Sequence, residues 1–272
     1  MTRATEHSRR TRIDLAELDA TVLEGHWMTP AAATPPAAPN RRERVRAATI
    51  EEIKRTALDL IRETGTVDIQ FTAIARAMGL TAPALYRYFA DRGELLTALV
   101  ADSFNDLAAT LDTARASVAP DDLGGRLLAA CQAYRHWAAG DPERFALIFG
   151  VPVPGYTAPH EGPTTEAAHR AMSNLAGLVL DTARAGRLRP PAVTQVSEQF
   201  AELAGRKAHT EMGGGGMTPE IYQGMLVTWA ALHGFVALEA HGHFHWMEPA
   251  VRDELFVAHV RAVAGITGLV AP

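Results

Sequence analysis

The sequence predicts an all-α protein made of a small N-terminal helical domain and a larger helical C-terminal domain. Apolar residues recur at spacings of three and four through most of the chain after residue 40, which is typical of helices that bury one face. Cap residues followed by proline mark helix starts, as at Asp141-Pro142 and Thr218-Pro219. No stretch alternates strand and helix patterns as an α/β protein does. At 272 residues and 47% hydrophobic content, the chain can build a core in both domains.

Residues 1–40 are predicted to form a disordered N-terminal extension and linker. The start is polar and carries four arginines, and the linker TPAAATPPAAPN holds prolines and alanines that favour an extended spacer. Three interpretations stay open: a basic arm that contacts phosphates, an unfolded tail, or a protein translated from Met28. The composition favours an unfolded segment over an ordered arm.

The first helix is predicted to begin after Asn40 and to run to about Thr64. Asn40 with Glu43 three residues later is the pattern of a capping box, and Gly65 ends the helix. Arginines crowd its N-terminal end, where the helix dipole favours anions. We interpret one or two of them, with Arg44 included, as contacts to an anionic partner and the rest as a solvated face.

Residues 71–92, FTAIARAMGLTAPALYRYFADR, are predicted to form two short helices joined by a tight turn. Ile74, Ala75 and Met78 give the first of these helices one narrow apolar stripe. Gly79 follows the last periodic residue and is expected to take the left-handed conformation that ends a helix. The next helix therefore leaves at a steep angle.

The second of these helices is predicted to run from Thr81 to Phe89. Thr81 is the predicted N-cap, and Pro83 stands in the first turn, where a missing N–H does no harm. Leu85, Tyr88 and Phe89 form its inner stripe. The pattern is that of a short helix held against a core along one side.

The outer face of this helix suits the floor of the DNA major groove. Ala82 and Ala84 permit close approach, and their methyl groups can contact thymine methyls. Tyr86 and Arg87 add hydrogen bonds and charge, and Arg92 lies where the next helix begins, near the phosphate strand. A helical hairpin packed inside an all-α domain is the alternative. The glycine turn, the threonine cap and the small outer face together favour a helix-turn-helix.

The stretch IARAMGLTAPALYRYFADRGELL resembles the TetR-type (TetR/AcrR) transcriptional regulators. The stretch repeats the pattern of that family at the same spacing: IA, G, a hydroxyl residue, LY, YF, and a basic residue followed by LL. The likeness covers about sixty residues, from Arg44 to Phe104. The resemblance implies a three-helix DNA-binding domain over residues 41–104 and a C-terminal effector-binding and dimerisation domain over residues 105–272. It also implies a homodimer on a palindromic operator of double-stranded DNA, and a repressor that a small-molecule effector releases.

The resemblance further assigns DNA-contacting positions. Gln70 stands where the family often has a threonine cap, and Gly93 stands where an acidic helix former is usual, so two helix starts are expected to be weakened. Thr81 adds a hydroxyl to the outer face. By matching position, the base-facing residues are Thr72, Ala82, Pro83, Ala84 and Tyr86, and the residues for the DNA backbone are Gln70, Tyr86, Arg87, Tyr88 and Arg92.

A long helix from Asp91, GELLTALVADSFNDLAATLDTARA, leaves the DNA-binding domain and enters the second domain. Between Gly150 and Pro163, the proline-rich segment VPVPGYTAPHEGP is predicted to be a lid or a packed surface loop. The remaining helices are predicted near residues 122–139, 142–149, 164–185, 191–209, 219–241 and 249–268, with a glycine break at Gly213 to Gly216.

The segment LHGFVALEAHGHF resembles the C-terminal signature of one TetR-type subgroup, with an LHG motif that is similar to WHG. The segment PERFALIFGVPVPGY shares that likeness. In the family, the last two helices build the dimer through a four-helix bundle. Residues on these helices therefore face either a partner or the core of their own chain, and both alternatives stay open for Leu232, Val236, Leu255, Val260 and Val263.

Large aromatic side chains in the C-terminal domain offer walls for an aromatic or lipophilic effector. Most aromatic residues on helices simply belong to a core, so only about half of this set is expected to line a cavity. The candidates for effector binding are Tyr134, Trp137, Phe145, Phe149, Phe200, Trp229 and His233.

The histidines between residues 233 and 245 suggest a second hypothesis, a metal-responsive sensor or a metal-dependent enzyme. His241 and His245 at i and i+4 would share a helix face, with Glu239 or His233 nearby. Gly242 between them predicts a fraying helix end, which disfavours fixed ligand geometry. We therefore predict no metal site and no cofactor.

Composition and motifs disfavour other classes. No apolar run approaches twenty residues, so no membrane span is predicted, and the lone Cys131 is consistent with a reducing cytoplasm. The chain lacks the G-x-S-x-G, P-loop and H-E-x-x-H motifs, so no catalytic residues are assigned. Basic residues outnumber acidic ones by ten to eight over residues 41–100, whereas the overall charge is −5. The positive charge lies where DNA binding is predicted.

Overall fold

The computed structural model describes residues 40–272 except 154, 160 and 212–216. The described residues form ten α-helices and no strand, so the predicted all-α class is confirmed. The predicted extension before Asn40 and the predicted glycine break at Gly213 to Gly216 lie outside the described residues. The helices are α1 (Arg41–Thr64), α2 (Phe71–Ala77), α3 (Ala82–Leu85), α4 (Arg92–Ala116), α5 (Leu123–Gly140), α6 (Pro142–Phe149), α7 (Pro163–Arg184), α8 (Glu198–Glu211), α9 (Pro219–Ala240) and α10 (Pro249–Thr267).

The first four helices share an N-terminal core. The predicted capping box of α1 is confirmed, because Asn40 accepts from the Glu43 N–H while Glu43 accepts from the Asn40 N–H. Its predicted end is confirmed as well, with Gly65 at φ 66°. The side chains that fill this core are fully buried and include Ile53, Ile74, Leu85, Leu95 and Leu99.

The segment after α6 packs on the N-terminal core. Val153 is buried there, and the Tyr156 hydroxyl lies 3.1 Å from the Thr97 hydroxyl of α4. Of the two predicted alternatives for this segment, the structure supports the packed surface loop. The N-terminal core and the C-terminal helices therefore touch through α4, α6 and this loop.

The C-terminal core is built by α4, α5, α7, α9 and α10. Phe256 and Val260 of α10 are fully buried in it, and α4 runs the length of α7. Phe104 packs against both cores, and α4 passes residue 104 without a break, so the boundary after that residue stays a prediction. A rigid helix thus belongs to both domains.

One predicted helix starts later than expected. Residues 191–209 were expected to be helical, but α8 begins at Glu198. The preceding segment is extended, and the Ala192 N–H donates to the Ile266 carbonyl at 3.0 Å. Ser197 accounts for the later start, because its hydroxyl accepts from the Phe200 N–H at 3.2 Å and so caps a helix that begins at Glu198.

Among the described helices, α9 is long and apolar enough to cross a membrane by length and composition. Part of its apolar surface has partners within the fold. Ile221, Phe235 and Val236 are buried against the C-terminal core, and α9 packs on α5, α8 and α10. Leu226, Val227 and Leu238 of the same helix are exposed, so burial within the chain accounts for only part of its composition.

Candidate DNA interface and effector cavity

The turn between α2 and α3 has the geometry that the sequence predicts. Gly79 lies at φ 67°, in the left-handed region that ends a helix. The Leu80 N–H reaches back to the Ala75 carbonyl at 2.7 Å, which is the six-to-one bond of a Schellman motif. Because the turn is closed by its own backbone, α3 leaves α2 at a fixed angle.

Helix α3 is shorter than predicted. Its α-helical part is Ala82–Leu85, and the chain continues to Phe89 through turn bonds such as Phe89 N–H to Leu85 carbonyl at 3.1 Å. Thr81 is the N-cap residue as predicted, with extended backbone, but its side chain makes no capping hydrogen bond. Pro83 at the second position has no N–H, and the Ala84 N–H already donates to the Thr81 carbonyl at 2.9 Å. No backbone donor is left for the hydroxyl, which is exposed.

The outer face of α3 is open to solvent. Tyr86 is 58% exposed, and its ring leans on buried Phe71 with 5.1 Å between centroids. Pro83 and Arg87 are exposed, and Thr72 of α2 is exposed beside them. Ala82 and Ala84 are half-buried, so they present methyl groups close to the surface. The geometry combines a rigid backbone, small side chains and one projecting aromatic ring.

Basic side chains flank this face. The Arg46 guanidinium of α1 donates to the Arg87 carbonyl at 2.8 Å and lies 5.2 Å from the centre of the Tyr88 ring. This cation–π contact covers Tyr88, which is half-buried. Arg44, one helical turn away from the tip of α1, is exposed. The N-terminal end of α1 and the end of α3 thus form one basic surface.

Two residues that were predicted to contact the DNA backbone already have partners within the chain. Arg92 pairs with Asp68 at 2.7 Å, and the Gln70 amide donates to the same carboxylate at 3.3 Å. Gln70 gives α2 no side-chain cap, as its departure from the family pattern predicts. The start of α4 is well capped despite Gly93, because Asp91 accepts from the Glu94 N–H at 2.8 Å. A phosphate would compete with Asp68 for Arg92.

The C-terminal domain encloses a cavity of about 230 Å³ between α4, α5, α7 and α9. Its wall is apolar apart from a few polar atoms. The Asn174 amide nitrogen donates to Asp112 at 3.2 Å, while its buried oxygen has no hydrogen-bond partner among the described residues. That oxygen can accept a hydrogen bond from a ligand. Other residues of the wall are Leu107, Leu111, Leu127, Ala130, Cys131, Tyr134, Leu175, Leu178, Met225, Trp229 and Leu232.

An aromatic cluster borders this cavity. The Tyr134 hydroxyl lies 2.6 Å from His233 Nδ1, and the His233 ring stacks on Trp229 with 5.4 Å between centroids and 12° between planes. Phe149 approaches the same imidazole at 4.8 Å. Burial lowers the pKa of His233 and raises the pKa of Tyr134, because both charged forms lose water. Both side chains are therefore neutral at pH 7, which suits an uncharged, apolar ligand.

Comparison with known proteins places both domains in one family. Residues 53–99 match the family described as bacterial regulatory proteins, tetR family, and residues 127–263 match the tetracyclin repressor-like C-terminal domain. The HTH-type transcriptional regulators Mb1846 of Mycobacterium bovis and Rv1816 of Mycobacterium tuberculosis are each 33% identical over 203 residues, which is 75% of this chain and 83% of theirs. The chain belongs to the TetR family.

Solved structures share the fold of this TetR-family chain. The crystal structure of the protein SCO4313 is 33% identical and covers 84% of this chain and 100% of its own, with a TM-score of 0.64. A protein of unknown function from Rhodococcus sp. RHA1 shares the fold at 22% identity and a TM-score of 0.57, with 85% of this chain and 97% of its own covered. This TetR-family chain is accordingly a DNA-binding transcriptional regulator.

The structure places some of the aromatic residues predicted for effector binding at the first cavity and others away from it. Tyr134 and Trp229 line the cavity, and His233, Phe149 and Phe145 join them in the aromatic cluster. Trp137 and Phe200 lie elsewhere. Trp137 is buried with its N–H donated to Asp106 at 2.8 Å, and Phe200 packs on Tyr222 with 6.2 Å between centroids.

Sequence reasoning missed the aliphatic wall and Asn174. The signal was present, because Leu107 and Leu111 of α4 share a helix face with spacing four. Leu175 and Leu178 of α7 repeat the pattern at spacing three. Periodicity assigns such residues to a core, but it does not show where the core is incompletely filled.

The histidines of the metal hypothesis are not brought together. His233 faces Tyr134, and His241 turns back on its own helix with Nδ1 2.7 Å from the Ala237 carbonyl. Glu239 is held by Arg135, whose Nη2 lies 2.6 Å from Oε1. Gly242 at φ 80° ends α9 as predicted. Within residues 40–272 as described, no three His, Cys, Asp or Glu side chains are placed to share an ion.

The one cysteine of the sequence, Cys131, belongs to the first cavity. The side chain is buried in the wall of the cavity. Burial raises the pKa of the thiol to about 12, because the thiolate would lie in apolar surroundings. The thiol is therefore protonated and unreactive at neutral pH.

Proposed function

We propose that this TetR-family protein is a cytoplasmic homodimeric repressor that a small apolar effector releases from its operator. The observation that carries the proposal is the solvent-open face of α3, with Tyr86 projecting beside the basic end of α1. A helix with small side chains and a fixed entry angle suits the major groove. Arg87 and Arg44 are exposed where backbone phosphates would run.

The exposed apolar side chains of α9 and α10 support a dimer. Val236, Val260 and Val263 are buried in their own chain, so for these residues the alternative of facing a partner is wrong. Leu255 is 39% exposed. It belongs to a set of exposed aliphatic residues on the same two helices, Leu226, Val227, Leu238, Val251 and Leu255. A second copy would cover this set through a four-helix contact.

The cavity and the DNA interface share structural elements, which supports control by an effector. Phe149 of α6 packs against His233 at the cavity border, and Arg62 of α1 pairs with Asp141 at the start of α6 at 2.8 Å. A ligand that moves α6 would therefore shift α1 and the attached α3. The apolar wall, the neutral Tyr134–His233 pair and the Asn174 oxygen favour a small aromatic or lipophilic effector with one hydrogen-bond donor.

A matched pair of arginine variants tests DNA binding. Arg87 and Arg184 are both exposed, but Arg184 lies at the end of α7, where it pairs with Asp181 at 3.2 Å. Operator DNA would be selected from genomic fragments and titrated by fluorescence anisotropy at several salt concentrations. Arg87→Ala should lower the salt slope by about 0.9 per phosphate contact, or about 1.8 for a dimer. Arg184→Ala should leave the slope unchanged.

Equal slopes for the two variants and the wild type would contradict a phosphate contact by Arg87. Failure to enrich any genomic fragment would contradict the proposed operator binding. Effector release is tested separately, because Trp229 lines the cavity and reports occupancy through its fluorescence. A compound that quenches this fluorescence and does not weaken operator binding would contradict the proposed release.

A further inference from the structure

A second cavity, of about 430 Å³, lies at the junction of the two domains. It is bounded by α4, α6, the loop after α6 and the first two turns of α7. His169 is the residue that its wall shares with the wall of the first cavity, so the two spaces are distinct. Most of the wall is apolar, with Val100, Phe104 and Ile148 among the lining side chains.

One polar group in this wall lacks a partner. Thr164 is 4% exposed, and its hydroxyl has no hydrogen-bond partner among the described residues. Other buried hydroxyls of the chain are bonded: Thr182 donates to the Leu178 carbonyl at 2.7 Å, and Thr228 lies 2.6 Å from the Thr267 hydroxyl. A buried hydroxyl without a partner destabilises the fold, because the hydrogen bond that it made to water in the unfolded chain is not replaced. A ligand oxygen at Thr164 would remove that penalty.

The polar end of the cavity also coincides with a helix start. Thr164 stands in the first turn of α7, a helix of 22 residues whose N-cap, Gly162, gives no side-chain hydrogen bond. The first N–H groups of a helix carry partial positive charge and favour an acceptor or an anion. Thr164 and Thr165 of this helix start both line the cavity, whose remaining wall is mostly apolar. Together they would hold an oxygen head group while the remaining walls cover an apolar body.

We propose that this junction cavity is a second ligand site, which binds an amphipathic molecule with an apolar chain and an acceptor oxygen such as a carboxylate. The head group accepts a hydrogen bond from the Thr164 hydroxyl, and the chain lies against α4 and α6. Leu96 and Val100 belong both to this wall and to the N-terminal core. A molecule bound here therefore touches the DNA-binding domain directly, whereas the first cavity lies within the C-terminal core.

Calorimetric titration of the full chain with decanoate tests the site, with decyltrimethylammonium as a probe that has the same chain and no acceptor. Both probes are used below their micelle concentrations. Decanoate should bind, and the cationic probe should bind at least tenfold more weakly. Thr164→Val should reduce decanoate affinity about tenfold, the effect of losing about 1.4 kcal/mol. Because the hydroxyl has no protein partner, this variant should melt at or above the temperature of the wild type.

Matched variants locate the bound probe. Thr182→Val removes a buried hydroxyl at the other end of α7 and should leave decanoate affinity unchanged. Ala168 lines the junction cavity and Ala130 lines the first cavity, so Ala168→Leu and Ala130→Leu fill one space each. Ala168→Leu should abolish binding, and Ala130→Leu should preserve it.

Three outcomes would overturn the junction site. They are no decanoate binding by the wild type, loss of binding in Ala130→Leu with retention in Ala168→Leu, and equal affinities of Thr164→Val and the wild type. Operator binding is measured on the same samples without probe. Loss of the junction site would thus leave the proposed operator binding untouched. A failure to bind operator DNA would likewise leave the decanoate result untouched.

Discussion

The N-terminal core and the C-terminal core are both apolar, but only the second encloses the first cavity. Ile53, Ile74, Leu85 and Leu95 are 0% exposed and fill the space between α1 and α4. The C-terminal core is equally buried at Phe256, yet α4, α5, α7 and α9 leave about 230 Å³ between them. A filled core resists deformation, whereas a core with a cavity can gain contacts from a ligand. The C-terminal core therefore has space that a ligand can fill, whereas the residues between α1 and α4 leave none among themselves.

Charged side chains connect the two regions. Lys54 of α1 pairs with Asp102 of α4 at 2.6 Å, and Arg144 of α6 pairs with Asp106 at 3.0 Å. These pairs lie near the middle of α4, between the filled core and the cavity. Each partly exposed pair contributes little stability on its own, so their arrangement constrains orientation more than it adds free energy. A small shift of α6 can therefore reposition the DNA-binding domain without unfolding it.

The largest expected effect comes from Leu→Ala substitutions in the two regions. Leu85 is fully enclosed in the N-terminal core, and Leu178 is 2% exposed but faces the cavity on one side. Leu85→Ala loses contacts on all sides and should destabilise the fold by about 4 kcal/mol. Leu178→Ala loses fewer contacts and should cost about 2–3 kcal/mol. Urea denaturation followed by circular dichroism measures both values.

The unsubstituted protein and Leu203→Ala serve as references, because Leu203 is 40% exposed and its truncation should cost little. A larger loss for Leu178→Ala than for Leu85→Ala would contradict the difference between the two cores. Leu85→Ala should also weaken operator binding, since Leu85 anchors α3.

The sequence predicted the N-terminal region in detail because its signals are local. Asn40 with Glu43, Gly65 and Gly79 each determine the backbone within a few residues. At Thr81 the local signal gave the N-cap position but not the missing side-chain bond, because the Ala84 N–H bonds the Thr81 carbonyl and Pro83 has no N–H. Whether such a bond forms depends on which donors remain free in three dimensions.

The sequence predicted less of the effector site because a cavity is a property of packing between distant segments. Trp137 and Phe200 are aromatic like Trp229, yet Trp137 is bonded to Asp106 and Phe200 packs on Tyr222, and neither lines the cavity. Asn174 gave no signal, since its unpartnered oxygen is recognisable only when its neighbours are known. The helices were predictable, and the space that they enclose was not.

A smaller effect compares two tyrosine hydroxyls. Tyr134 bonds His233 at 2.6 Å beside the cavity, and Tyr156 bonds Thr97 at 3.1 Å on the N-terminal core. Tyr134→Phe leaves the imidazole without its partner in a largely apolar cluster and should cost about 1 kcal/mol. Tyr156→Phe should cost less, because half-buried Thr97 can bond water instead. Thermal denaturation of both variants measures the difference, and a larger loss for Tyr156→Phe would contradict it.

The smallest effect is the pH dependence of the same cluster. Burial lowers the pKa of His233 below its usual value of about 6.5 in an unfolded chain. As the pH falls, the unfolded state therefore binds the proton before the folded state does. The stability that neutral His233 contributes is complete above about pH 6.5 and is lost as the pH falls toward the folded-state pKa. The free energy of unfolding should decrease between pH 7 and pH 5 in the wild type. His233→Gln keeps a hydrogen-bonding side chain for Tyr134 but cannot titrate, so its decrease should be smaller.

Urea denaturation at closely spaced pH values measures the two curves. His245→Gln is the matched control, because His245 is exposed near the end of α9 and should leave the wild-type slope intact. If His233→Gln and the wild type lose stability in parallel, His233 is not the group whose burial sets this dependence. If the slopes differ as expected, the same proton also competes with effector binding, since a charged imidazole would border the apolar cavity. Effector affinity should then decrease over the same pH range in the wild type and stay constant in His233→Gln.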